Sequence, residues 1–466
     1  MTDFTALLQP DRGEPARLIH VVDKDNFSIW AKKQSPARQT MLDAIKFDAK
    51  SAFQFAILQG KKDGEFDVVT CVDQANTLAP WCLARLGQSL PAGKYRIDAG
   101  EPGLAALGWL LSQHRFDRYK SSPPEPTGPR ILLTGDVAAI DPMVRMAEAT
   151  ALVRDMVDTP ASDMGPADLE VAVRDLAKTS GAKLEITHGD ALDKGYPMIA
   201  AVGNGASRDR SPRLLELHWG KDDAPRIAIV GKGVCFDSGG LDIKPSNGMR
   251  LMKKDMGGAA HAIALARLII GVRLPVRLHL LVPAVENSIS ATAFRPGDII
   301  FSRKGLNVEI DNTDAEGRLV LGDALTKAAE HDPELIVDFA TLTGAARIAL
   351  GPDLPAMFAN DERLAADLIA ASTAAHDPLW RMPLWDDYDD LLKSDLADLA
   401  NGSDSPMAGS VVAALFLRRF VSPETPWAHF DTFAWQPAAK PGRPKGGAAL
   451  GLRAAFEMLE KRYPAR

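Results

Sequence analysis

A chain of 466 residues, 46% apolar and 25% charged, has the composition of a globular protein and is long for a single core, so two domains are expected. Its net charge of -7 leaves no basic excess to neutralise phosphates, which argues against a general nucleic-acid binder. Cys71, Cys82 and Cys235 lie far apart and form no C-x-x-C pair, so neither a disulfide framework nor a thiolate zinc site is indicated.

The start of the chain lacks the basic and apolar regions of a signal peptide. The richest apolar run, 265–285, is interrupted by Arg267, Arg273, Arg277 and His279 and does not read as a membrane span. A cytoplasmic location is the expectation. Residues 51–59 and 66–72 read as strands, 104–114 as a helix and 130–134 as a short buried strand, an α/β pattern with no evident chemistry. Four prolines within residues 121–129 mark a boundary. The helical pattern over 142–157 then connects the domains. The expected organisation is an N-terminal α/β domain over 1–129 that serves assembly or regulation, a connecting strand and helix over 130–158, and a catalytic domain over 159–466.

In this second part, an apolar strand at 226–230 runs into a glycine-rich stretch, GKGVCFDSGG at 231–240, where the backbone can turn tightly and approach a ligand. Lys244 and Asp255 follow, then a helix over 259–270, a strand over 276–284, a helix over 318–331 and a strand over 335–341. Such alternation predicts a largely parallel sheet with helices on both faces and ligands gathered at the carboxyl ends of the strands. Asp237, Asp255, Asp314 and Glu316 all fall on loops or strand ends of that kind.

The densest chemistry lies at 311–321, DNTDAEGRLVL. In an extended segment Asp314 and Glu316 project to the same side. They stand just before a helix that carries Arg318 in its first turn, a place for cations on the carboxylates and an anion beside them. Four converging carboxylates repel unless cations balance them, and two divalent ions would do so. Oxygen ligands leave Mg, Mn and Zn open. None of the nine histidines has ligand spacing, and His261 reads as structural. Ser238 in FDSGG, the lone Gly203-Asn-Gly205 and the 442–446 segment are weak signals for a nucleophile, a dinucleotide and a P-loop respectively.

NTDAEGRL at 312–319 resembles the signature of the leucyl aminopeptidase family, also called cytosol aminopeptidases. The resemblance extends over 230–240, Lys244, Met252, 255–260, 282–287, 295–298 and 340–345. It is thinner in the first domain, where 114–120 is the most similar stretch. It implies a two-metal exopeptidase. One ion would be held by Asp237, Asp314 and Glu316, the other by Lys232, Asp237, Asp255 and Glu316, with Zn or Mn implied and Mg or Co also open. A water bridging the ions would attack the scissile carbonyl, Lys244 would polarise it, and Arg318 would hold a bicarbonate as general base. Asp255 would meet the free α-amine of a peptide; Met252, Thr341 and Gly344 would line a mainly apolar pocket, and the Leu342 carbonyl would contact the peptide beyond the cut. A homohexamer is implied, and neither a membrane nor a nucleic acid is indicated as a partner. A two-metal phosphoesterase and a catalytically silent scaffold are the alternatives. The chain departs from the family's pattern at 432–435 and 445–453, which bears on side-chain preference.

Overall fold

The computed structural model describes residues 2–60, 62, 64–123 and 127–464, so residues 124–126 of the expected proline-rich boundary lie outside the described residues. The chain divides into two units, residues 1–151 with 438–445 and residues 152–437 with 446–466.

The first unit holds a six-stranded sheet in the order Leu8–Pro10, Arg130–Thr134, Gly93–Ile97, Arg17–Val22, Phe66–Cys71, Phe55–Gln59. All pairs are parallel except the last. The strand read over 51–59 starts only at Phe55, because Ala49 and Phe53 take left-handed φ values of 52° and 65° that interrupt extended backbone. Within 104–114 the regular helix is Ala105–Leu111, buried along its whole length. The helix read over 142–157 spans Ile140–Asp158. It begins earlier because Asp136 caps the preceding turn through the Ala139 N–H at 3.3 Å.

The second unit is organised on a nine-stranded sheet. Its main path runs Trp380–Arg381, Ala356–Ala359, Trp427–Asp431, Leu335–Ala340, Arg226–Gly231, Arg277–Asn287, Arg213–Trp219, Lys183–His188. Its centre is parallel, as expected. Antiparallel neighbours at both sides make the whole sheet mixed. The central strands are nearly all buried, which is why they read as unbroken apolar runs. The glycine-rich stretch is less of a loop than its composition suggests. Gly233–Asp237 is itself a strand, pairing parallel with the far end of Arg277–Asn287.

Helices flank this sheet. Gly257–Gly271 packs on Arg226–Gly231 and Leu335–Ala340, while Glu316–Ala329 packs on Arg226–Gly231 and Arg277–Asn287. Leu319, Leu321 and Leu325 of the second helix share a core with Ala228, Val230 and Leu281. Each fully buried leucine of this kind contributes about 1.5–3 kcal/mol. Among the described residues no helix is long and apolar enough to cross a membrane.

Candidate metal centre

The parallel strands finish at one edge of the sheet, and charge begins where they stop. Lys232 follows Gly231, Asp237 ends its strand, and Thr341 follows Ala340. Met252 and Asp255 sit in a 3₁₀ turn, Met252–Met256, that feeds the helix Gly257–Gly271. Glu316 is the first residue of Glu316–Ala329. These side chains line one cavity of about 260 Å³ together with Lys244, Asp314, Arg318, Leu342 and Gly344. The structure thus brings all eleven residues named from the sequence to a single place.

The acidic pair is not arranged as an extended segment would place it. Residues 313–314 form a turn and Glu316 is already helical. Consequently the two carboxylates engage different lysines. Asp314 pairs with Lys244, whose Nζ also lies 2.7 Å from Asp237 Oδ2. Glu316 Oε1 is 2.9 Å from Lys232 Nζ, which lies 2.6 Å from Asp255 Oδ2. Gly317 permits this approach, since a Cβ there would stand 2.5 Å from Lys232 Cε.

Neighbouring side chains fix the arrangement. Asn287 Nδ2 donates to Asp237 Oδ1 at 2.9 Å and to the Thr313 carbonyl at 3.0 Å, tying a strand end to the 311–316 loop. Thr341 Oγ1 donates to Asp255 Oδ1 at 2.8 Å. Asp431 accepts the Leu342 and Thr343 N–H groups at 3.0 and 3.2 Å. Asn401 accepts from Asp311 and Asn312 through its side chain and from Arg318 Nη1 through its carbonyl, the last at 2.7 Å.

Burial sets the electrostatics. It raises Glu316, and Asp237 adds to that rise; Asp314 is raised by the same two causes. For Asp255 burial is the largest single effect and works upward, but Lys232, Lys254 and Lys244 together outweigh it and the carboxyl is held below its ordinary value. Burial also works against charge on Lys232 and Lys244, yet the carboxylates outweigh it and hold both above the ordinary lysine range. Lys254, only 1% exposed, is instead pushed down by burial to about 8.

These residues fit divalent ions. Donor atoms of Asp237, Asp255 and Glu316 all lie within 4.8 Å of one another. Glu316 Oε2 is buried without any hydrogen-bond partner, and an unsatisfied buried acceptor costs about 1–3 kcal/mol. Arg318 Nε is likewise buried without a partner, beside the N-terminus of the helix Glu316–Ala329, so an anion also fits there.

Histidine contributes no ligand atom to this group among the described residues. His261 is structural in its contacts: Nδ1 lies 2.7 Å from the Gly257 carbonyl and Nε2 accepts the Leu450 N–H at 3.0 Å. Ser238 donates to the Asn287 carbonyl at 2.8 Å and accepts from Gly240, so its hydroxyl serves the turn. Sequence reasoning missed Lys254 and Arg347, which line the cavity and lie 5.5 and 4.7 Å from the Phe433 ring centroid. The one local signal was Phe433 itself, inside the departing segment 432–435. Asp431 and Asn401 act through the chain's folding and carried no spacing signal.

A model of the cytosol aminopeptidase family's catalytic domain matches residues 151–456, and that of the M17 aminopeptidase N-terminal domain matches residues 18–128. A probable cytosol aminopeptidase of Syntrophotalea carbinolica is 41% identical over 368 residues, covering 76% of this chain and 74% of that one. Another from Mycobacterium bovis is 41% identical over 375 residues, covering 76% and 72%. The crystal structure of a cytosol aminopeptidase from Coxiella burnetii superposes with a TM-score of 0.92 at 44% identity, covering 98% of this chain and 99% of that one. The bottromycin maturation enzyme BotP in complex with Mn gives 0.87 at 31% identity, covering 96% and 100%.

Proposed function

The chain belongs to the cytosol aminopeptidase family, whose members are metal-dependent hydrolases, and we propose that it releases apolar, leucine-like N-terminal residues from peptides with a free α-amine. One observation carries this reading: Glu316 Oε2 is buried and unpartnered at a cavity where four carboxylates are ion-paired to lysines. Asp237, Asp314 and Glu316 would hold one divalent ion, with the Asp314 backbone carbonyl assisting; Lys232, Asp237, Asp255 and Glu316 would hold the other. Mn is supported by the bound ion of BotP, and Zn suits the same donors. When bound, such a pair supplies Lewis acidity and a nucleophilic water at neutral pH.

The protein's own groups do the rest. Lys244 would turn its ammonium from Asp237 and Asp314 toward the scissile carbonyl oxygen, where it would stabilise negative charge as that charge develops. Lys232 has to lose its proton to become a ligand, which an adjacent dication favours. Asp255 receives the substrate's α-ammonium or amine and so selects for a free N-terminus. Arg318 would hold a bicarbonate, a general base when present. Met252, Thr341 and Gly344 form the wall met by the first side chain, and the Leu342 carbonyl accepts from the peptide beyond the cut. Domain 1–129 serves assembly into a homohexamer.

The test is hydrolysis of leucine amide and of a phosphate ester before chelation, after it, and after Mn²⁺ or Zn²⁺ is restored. Amide cleavage that is lost and recovered, with the ester untouched, is the expected result. Ester hydrolysis without amide cleavage would replace this reading by a two-metal phosphoesterase.

A further inference from the structure

At the opposite edge of the nine-stranded sheet, where Arg226–Gly231 and Arg277–Asn287 begin, lies a second cavity of about 520 Å³. It contains Glu216, His218 and His279, none of which the reaction above uses. Their convergence follows from strand register. His218 stands directly across from His279 in the antiparallel pair of Arg213–Trp219 and Arg277–Asn287. Glu216, two residues before His218, projects to the same face. The two imidazoles lie with ring centroids 4.3 Å apart and planes at 22°. His279 Nε2 is 3.0 Å from Glu216 Oε2, and Tyr196 donates its hydroxyl to Glu216 Oε1 at 3.3 Å.

The Glu216–His279 pair is complete by itself as a buried structural contact. His218 adds a third donor, and one donor atom from each of the three residues lies within 4.8 Å of the others. Two imidazoles and one carboxylate are a ligand set that zinc accepts, leaving a fourth position for water. Glu216 and His279 are 3% and 8% exposed, so the donors are held rather than free to disperse. His218 is less buried, and the cavity beside it gives an ion a route in and the water a place. Tyr196 supplies the outer hydrogen bond that orients a ligating carboxylate.

We propose that Glu216, His218 and His279 form a third metal site, a zinc centre that clamps the antiparallel strand Arg213–Trp219 to the parallel core and is separate from the carboxylate site. On binding, zinc takes the Nε2 lone pair of a neutral His279, whose single ring proton then sits on Nδ1, and the contact between His279 Nε2 and Glu216 Oε2 is replaced by one bond from each atom to the metal.

The experiment compares zinc content per chain in the full-length wild type and in His218→Ala, each loaded with excess Zn²⁺, desalted and analysed by elemental mass spectrometry. Wild type is expected to hold one zinc more than the variant, with the variant's zinc affinity at this site reduced by at least about 100-fold. Leucine amide hydrolysis should be the same in both. Because the quantity read is the difference between the two proteins, it stands whether or not the carboxylate site binds as proposed. Co²⁺ loading gives a second readout: a tetrahedral visible band present in wild type and lost in His218→Ala, or in His218→Gln should the alanine variant fold poorly. Equal zinc content in wild type and variant, or Co²⁺ spectra that do not differ, would overturn the proposal.

Discussion

The six-stranded and nine-stranded sheets are built on one plan, parallel strands at the centre with an antiparallel partner at an edge, yet they treat charge in opposite ways. In the first unit the ion pairs are partly exposed: Lys94 lies 3.0 Å from Glu14 with side chains 41% and 25% exposed, and Arg96 lies 3.1 Å from Asp11 at 26% and 20%. In the second, Lys232, Asp255 and Glu316 meet at 1–3% exposure. Strand ends alone therefore do not make a site. What distinguishes the second unit is charge taken out of water, where carboxylates outnumber the lysines paired with them and Glu316 Oε2 finds no donor.

Substitutions should separate the two regions in order of how much buried charge each removes. Glu316→Ala takes away the carboxylate shared by both proposed ions and should reduce leucine amide turnover to background while lowering bound metal. Retention of near-normal turnover would show that the carboxylates are structural. Lys244→Ala keeps every proposed metal ligand and removes the ammonium proposed to face the carbonyl oxygen, so kcat should fall about 10²–10³-fold with metal content unchanged. Arg318→Ala should cost about 10–100-fold, because water partly replaces a bound base. A loss as complete as that of Glu316→Ala would mean the anion site has been misread.

Metal loading should also depend on pH. The carboxylates hold Lys232 above the ordinary lysine range, so it carries a proton at neutral pH that must leave before the nitrogen can ligate. The proton competes better as pH falls, so apparent metal affinity should drop about tenfold per pH unit for each proton displaced. Calorimetric titration in buffers of different ionisation enthalpy would register the released proton; identical heats in all buffers would contradict a ligating lysine. At the other extreme, Lys94→Ala in the first unit should change stability by less than about 1 kcal/mol in a urea melt and leave turnover unaltered.

How much of this was legible in the sequence differs from residue to residue. Asp314, Glu316 and Arg318 sit within five positions, and Gly231 to Gly240 announces a close backbone approach, so local pattern sufficed to mark both stretches. Lys232 and Asp255 look like ordinary residues, and only resemblance to a family assigned them roles. The central strands were readable because both their faces are buried. The antiparallel flanks were not, because Arg213–Trp219 carries Glu216 and His218 among its apolar residues, Ala356–Ala359 has only four residues, and both take their direction from tertiary packing. His218 and His279 are far apart in the chain and become neighbours through that antiparallel register alone. Phe53 misled in the opposite way, since an apolar run conceals a left-handed residue.

The central claim is that this centre acts on a free N-terminus through metals held by buried carboxylates. The measurement that bears on it most directly is hydrolysis of leucine amide beside its N-acetylated analogue by the metal-loaded protein. Cleavage of leucine amide alone, abolished by chelation, is the predicted result. Equal cleavage of both compounds would contradict the role given to Asp255, and cleavage that survives complete removal of metal would contradict the account of the site as a whole.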